Sequence, residues 1–272
     1  MHFHVSPPTT RSKGIRGNLM RDLSMLQTQQ MPWVQTLKAL MPPVLWQLGY
    51  RHLVVRGIDG ASSYRPQYSP WLEHGFQERL RNIRPHTLVA ADRCWYLSAF
   101  ARQALNLDGS FLEAGTYKGG TALLLRQEIE RVSPARKFFI LDSFEGMLKT
   151  DAARDRHRVG DLSDTSLEAV QLVVGTAPFI EYRKGWIPQT FAGLETERFA
   201  FLHIDVDLYR SVLDCCEFLY PRLQPGGFMM FDDYGFPNNP GARRSVDEFF
   251  ADKREIPIVL ASGQALICKL PQ

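Results

Sequence analysis

Two apolar runs in this chain end in paired acids. Phe199-Ala200-Phe201-Leu202-His203-Ile204 leads into Asp205-Val206-Asp207, and Phe228-Met229-Met230-Phe231 leads into Asp232-Asp233. Read as strands, their alternation puts Asp205 and Asp207 on one side of the chain as it leaves a sheet. Where two such strand ends are neighbours, four carboxylates converge and repel unless a cation neutralises them. Hard oxygen ligands with no Cys or His among them suit magnesium, manganese or calcium. Taken singly, the D-x-D reads as a pair of loop caps and the D-D before Tyr234-Gly235 as a solvated turn. The repetition at equivalent ends of two apolar strands favours the cation site. His203 points the same way as Asp205 but lies deeper, and reads as a satisfied core histidine.

A second constellation lies upstream. Glu113-Ala114-Gly115-Thr116-Tyr117-Lys118-Gly119-Gly120-Thr121 runs from a strand through a glycine-rich turn into a helix. Glycines there permit positive φ and close backbone approach, and the helix start offers unpaired N–H groups to an anion. The pattern is not the G-x-G-x-x-G of dinucleotide binders. The next strand ends in Leu141-Asp142-Ser143-Phe144, which places a carboxylate where a ribose diol would lie. The competing reading of Asp142 is an N-cap for a following helix. Nicotinamide and adenosylmethionine cofactors both carry ribose, so these residues alone do not separate them.

Positioning such residues takes a parallel sheet with crossover helices. From Gly109 short apolar runs alternate with helical segments, which predicts strands at 110–114, 137–142, 179–183, 199–205, 227–231, 256–260 and 265–269. Helices are predicted at 119–131, 166–174, 188–192, 211–223 and 242–252. The fold class is thus α/β, a doubly wound seven-stranded sheet closed by a hairpin at Ala261-Ser262-Gly263, with ligands at the carboxyl ends of the strands. Residues 31–107 read as a mainly helical N-terminal cap and substrate region before a core at 108–272, with helical spacing in Val34-Leu37-Leu40 and in Trp95-Leu97-Phe100-Ala101-Leu105. Between these, the aromatic and proline-rich Tyr64-Arg65-Pro66-Gln67-Tyr68-Ser69-Pro70-Trp71 reads as a loop that covers a site or meets a neighbouring subunit of a homo-oligomer.

Composition narrows the partners. The 272 residues carry 32 basic and 29 acidic side chains, a near balance that argues against nucleic acid as a partner. No apolar run reaches the roughly 18 residues of a membrane span, and the first residues hold no apolar secretory region. Residues 1–30 read as a flexible arm, although Arg11, Lys13 and Arg16, with no acid before Asp22, leave a transit peptide as the other reading. Cys94, Cys215, Cys216 and Cys268 lack zinc-site spacing and suit reduced thiols of a cytoplasmic protein.

Taken together, Phe111 through Gly120, Leu141 through Gly146, Lys184-Gly185-Trp186, His203 through Tyr209, Leu219 through Leu223, Phe231 through Gly235 and Gly241 through Phe249 resemble the macrocin O-methyltransferase family. That family includes the sugar O-methyltransferases of macrolide and aminocoumarin antibiotic biosynthesis. The resemblance implies a class I methyltransferase (Rossmann-like) fold, S-adenosylmethionine as methyl donor and a magnesium ion. It assigns Asp205, Asp232 and Asp233 as metal ligands and Asp207 as general base. Glu113, Gly115, Thr116, Asp142 and Asp205 become cofactor contacts, with Ser143 beside the ribose or adenine and Thr87 reaching in from the cap. The implied acceptor is a hydroxyl on a glycosylated small molecule, and a catechol-type acceptor is the alternative. Residues 1–81 and 147–161 match no part of the pattern, and the charged 147–160 stretch reads either as a lid or as a solvated helix. A nicotinamide oxidoreductase leaves the four acids unexplained, and a noncatalytic metal-binding scaffold leaves the 113–120 turn unexplained.

Overall fold

The computed structural model describes residues 69–132 and 135–271. The expected arm at 1–30, the apolar spacing at 34–40 and most of the Tyr64 to Trp71 loop lie outside the described residues. Tyr68–Gln272 forms one compact unit. Its strands, numbered in chain order, are β1 (Ser110–Ala114), β2 (Phe138–Asp142), β3 (Ile180–Lys184), β4 (Phe199–Ile204), β5 (Leu223–Phe231), β6 (Ile258–Val259) and β7 (Ala265–Cys268). The described helices are α1 (His74–Ile83), α2 (Ala91–Ala104), α3 (Gly120–Ile129), α4 (Leu167–Val174), α5 (Tyr209–Leu219) and α6 (Pro240–Phe250).

The strands make one seven-stranded sheet in the order β3-β2-β1-β4-β5-β7-β6. β1 to β5 are parallel, and β7 runs antiparallel to β5 and to β6, giving the terminal hairpin. This is the class I methyltransferase sheet. Every residue of β1 and of β4 is buried, because helices cover both faces and a parallel strand between them must be apolar on both sides. Leu112, Ala114, Leu202 and Ile204 meet Val212 and Cys215 of α5 and Val246 and Phe250 of α6. On the opposite face Phe111, Phe201 and Met230 meet Leu97 of α2, Leu124 and Leu125 of α3 and Val170 of α4. The buried Glu128 of α3 takes Arg79 from α1 and Arg102 from α2, so a single carboxylate ties these three helices together.

Strand order reverses between β1 and β4, and the crevice of a doubly wound sheet opens at such a switch point. Register then brings the candidate acids together. Ile204 pairs with Ala114 on one side and Phe231 on the other, so the next residues Gly115, Asp205 and Asp232 emerge side by side.

Several elements differ from the expectation, among them β6, which is two residues where 256–260 was expected, and α5, which ends at Leu219 where 223 was expected. β5 starts four residues early, at Leu223, because Pro225-Gly226 sits within the strand beside a register irregularity with β4 and does not end it. The helix expected at 188–192 is a 3-10 turn, Gln189–Phe191. The 147–161 stretch is a loop, which removes the solvated-helix reading. It closes on itself where Met147 N–H donates to Asp161 O and Gly160 N–H donates to Met147 O, each at 2.9 Å. Among the described residues no helix is long and apolar enough to cross a membrane.

Candidate active site

A cleft of about 340 Å³ opens at the switch point. Thr87, Gly115, Thr116, Asp142, Ser143, Asp205, Asp207, Asp232 and Asp233 all line it. One half is built from the glycine turn and the ends of β1 and β2, the other from the ends of β4 and β5.

In the first half Gly115 has φ of 82°, and a Cβ there would lie 1.9 Å from Asp205 O, so the turn crosses the end of β4 only as glycine. A Cβ on Gly120 would sit 2.7 Å from His86 O and from the Thr87 Cβ, which is how Thr87 comes to face the cleft. Asp142 braces the turn: Thr116 N–H (2.7 Å) and Tyr117 N–H (3.1 Å) donate to its Oδ2, and Phe144 N–H donates to its Oδ1 at 2.7 Å. No helix begins after it before Leu167, so the N-cap reading of Asp142 falls. Burial raises its pKa against those three N–H bonds, and its carboxylate lines the cleft. Ser143 is committed to its own turn, its hydroxyl donating to Gly146 O at 2.7 Å.

Glu113, expected as a cofactor contact, does not line the cleft. Alternation along β1 sends its side chain to the α1–α4 face, where it is fully buried, apart from the cleft lining. Thr116 Oγ1–H donates to its Oε2 at 2.7 Å, and its Oε1 lies 2.9 Å from His203 Nδ1. Glu113 thus supports the turn from beneath. His203 is the core histidine its depth implies. Burial would lower its pKa, yet Asp232 and Glu113 together push it up to about 10.

In the second half, oxygens of Asp205, Asp232 and Asp233 lie within 4.8 Å of one another. Burial first, then the neighbouring charges of Asp232 and Asp233, holds the Asp205 carboxyl well above the usual range. Asp233 is raised likewise, by burial and then by Asp207 and Asp232. Asp232 is lowered in spite of its burial, because His203, Arg93 and Gln264 face it. The buried Asp233 Oδ2 has no hydrogen-bond partner. Three converging carboxylates, two resisting ionisation and one with an orphaned oxygen, fit a hard divalent cation.

Asp207 is not one of this trio, though it stands close enough to raise Asp233. It lies in a tight turn, with φ of 56° and Leu208 N–H donating to Val206 O, a strained conformation for a residue with a side chain. Asn239 Nδ2 donates to its Oδ1 at 2.6 Å.

Four residues escaped the sequence reading. Arg93 of α2 forms an ion pair with Asp232 and stacks 4.5 Å from the Phe236 ring centroid. Gln264 of the β6–β7 hairpin donates to Asp232 Oδ1 at 2.7 Å. Asn239 and His157 converge on Asp207. Arg93 and Gln264 are distant in sequence from the acids and follow no spacing rule. Asn239 directly before Pro240 carries a helix-cap signature, which hides any other role.

Comparisons with known proteins agree with this geometry. The family model described as Macrocin-O-methyltransferase (TylF) matches residues 81–261. Among curated proteins, the 8-demethyl-8-(2,3-dimethoxy-alpha-L-rhamnosyl)-tetracenomycin-C 4'-O-methyltransferase of Streptomyces olivaceus is 32% identical over 163 residues, covering 55% of this chain and 62% of that protein. The chain therefore spans less than two thirds of that relative's length. The mycinamicin III 3''-O-methyltransferase of Micromonospora griseorubida is 30% identical over 180 residues, covering 60% of this chain and 70% of that protein. The solved structure of the O-methyltransferase NovP superposes with a TM-score of 0.61 at 25% identity, covering 72% of this chain and 89% of NovP.

Proposed function

The chain belongs to the macrocin O-methyltransferase family, and on that premise we propose that it moves the methyl group of S-adenosylmethionine to a sugar hydroxyl of a glycosylated small molecule, with a divalent cation, magnesium first, at Asp205, Asp232 and Asp233. The observation that carries this reading is that the turn braced by Asp142 and the acid trio open into one cleft. The two curated relatives are named for methylating a rhamnosyl-tetracenomycin and mycinamicin III, which favours a sugar-bearing acceptor over a catechol.

Adenosylmethionine supplies a methyl group on a sulfonium, and transfer needs an acceptor oxygen in line with the carbon-to-sulfur bond. A bound divalent cation supplies the charge that lowers the pKa of an acceptor hydroxyl. Asp207 takes the hydroxyl proton as general base. Asp142 holds the ribose hydroxyls, Thr116 and Gly115 shape the turn beneath them, and Thr87 closes that side of the cleft. Leu88, Val89, Met147 and Phe236 line the rest and exclude water from the reacting atoms. Acceptor recognition draws on His86 to Val89 and Arg93, which line the cleft.

Calorimetry tests the assignment: adenosylmethionine binds and NAD does not. Turnover on glycosylated acceptors, followed by transfer of a radiolabelled methyl group, is lost in chelator and restored by magnesium. Full activity after rigorous metal removal would overturn the roles of Asp205, Asp232 and Asp233, and binding of neither nucleotide would favour a noncatalytic scaffold. Asp142→Ala is expected to weaken adenosylmethionine binding by roughly 1.5–3 kcal/mol, the range for a hydrogen bond to a charged group. Unchanged affinity would leave Asp142 as a brace for the Thr116 turn alone.

A further inference from the structure

The loop between β2 and α4 is latched over the acid end of the cleft by two side chains. Tyr209 N–H, at the start of α5, donates to Asp155 Oδ1 at 2.8 Å. A Cβ on Gly241 would meet that same oxygen at 2.6 Å, so the first turn of α6 leaves a seat for it. Two residues on, His157 lines the cleft. Its Nδ1 lies 3.1 Å from Asp161 Oδ2, its Nε2 lies 3.1 Å from Asn239 Oδ1, and the same Nε2 lies 3.6 Å from Asp207 Oδ1.

Asn239 occupies the N-cap position of α6, yet its side chain makes no capping bond. It bridges instead, donating through Nδ2 to Asp207 and turning Oδ1 to His157. Both ring nitrogens of His157 therefore face acceptors, a carboxylate and an amide oxygen, and only the imidazolium has two N–H donors to satisfy them. The charged groups facing the ring are Asp161 from its own loop and Asp207 from the β4–α5 turn, beside the neutral Asn239.

We infer that His157 is a positioning residue for Asp207: through Asn239 it fixes the carboxylate, and docking of the 147–161 loop completes the base. This rests on the reading of Asp207 as general base. Oδ1 is held by Asn239 and faced by the imidazolium, while the carboxylate also stands against Asp233. Contact with Asp207, opposed by burial and aided by Asp161 and Asn239, pushes the His157 pKa up to about 9. The same contact fastens a loop whose Arg154, Arg156 and Arg158 are exposed, so trypsin reports its docking.

The test uses the full chain in chelator with no acceptor present. Histidine NMR titration is expected to find His157 near pKa 9, falling toward the ordinary value of about 6.5 in Asp207→Asn. Trypsin cleavage after Arg154, Arg156 or Arg158 is expected to quicken several-fold in Asp207→Asn and in His157→Gln. Asn239→Ala, which keeps both charges and removes the bridge, should lower the His157 pKa and quicken cleavage too. A His157 that titrates near 6.5 in the unsubstituted protein, or cleavage unchanged by Asp207→Asn, overturns the proposal. The base assignment fails differently: if Asp207→Asn retains full methyl transfer while His157 still responds to it, Asp207 is not the base and the loop coupling stands.

Discussion

Asp207→Asn is expected to bind adenosylmethionine and magnesium as the unsubstituted protein does and to lose roughly 10²- to 10⁴-fold in kcat, the usual contribution of a positioned general base. The carboxamide keeps the size of the side chain and an acceptor oxygen for Asn239 while removing the charge and the basicity. Asp207 is not among the three residues whose oxygens lie within 4.8 Å of one another, and on the proposed assignment its role is to take the proton. Asp232→Asn is expected to behave otherwise. Gln264, Arg93 and His203 hold Asp232 in its ionised form, and losing that charge lowers metal affinity, so excess magnesium restores part of the rate. The distinguishing measurement is the rate of each variant against magnesium concentration. Should magnesium rescue Asp207→Asn as fully as Asp232→Asn, Asp207 is a fourth ligand and the proton goes elsewhere.

What sequence could reveal of this site follows from how each residue is placed. Asp205 and Asp232 were legible because each directly follows a long apolar run, and parallel register carries the ends of such runs to the same edge. Gly115 and Asp142 were legible for the same reason. Glu113 was read as a contact from its place in the motif, and alternation along β1, already visible in Phe111, Leu112 and Ala114, sends it to the α1–α4 face beneath the turn. Arg93 and Gln264 meet Asp232 only through tertiary packing of α2 and the β6–β7 hairpin, and no local pattern encodes that. The 147–161 loop carries charges without a helical period, so its composition left lid and helix equally open. The latches that decide it, Asp155 on Tyr209 and His157 on Asn239, are made with residues far along the chain.

The second large effect concerns stability. Glu113 and His203 are paired neighbours across β1 and β4, both fully buried, with Oε1 and Nδ1 2.9 Å apart. Glu113→Ala removes one member and leaves the imidazolium facing Asp232 alone, at 3.7 Å, beyond hydrogen-bond length. It also frees the Thr116 hydroxyl, which donates to Glu113 Oε2 at 2.7 Å. Breaking a buried ion pair from one side costs about 3–5 kcal/mol, because the remaining charge is uncompensated. Urea denaturation at neutral pH should show a loss of that size. Replacing both members with Leu should cost less than Glu113→Ala, since Asp232 loses His203 but keeps Arg93 and Gln264 and no buried charge is left unpaired, and that ordering separates an ion-pair effect from simple loss of packing. Cofactor affinity supplies the contrary outcome. If Glu113→Gln, which keeps an acceptor for Thr116, weakens adenosylmethionine binding while stability holds, then Glu113 does reach the cofactor and its support of the turn from beneath is secondary.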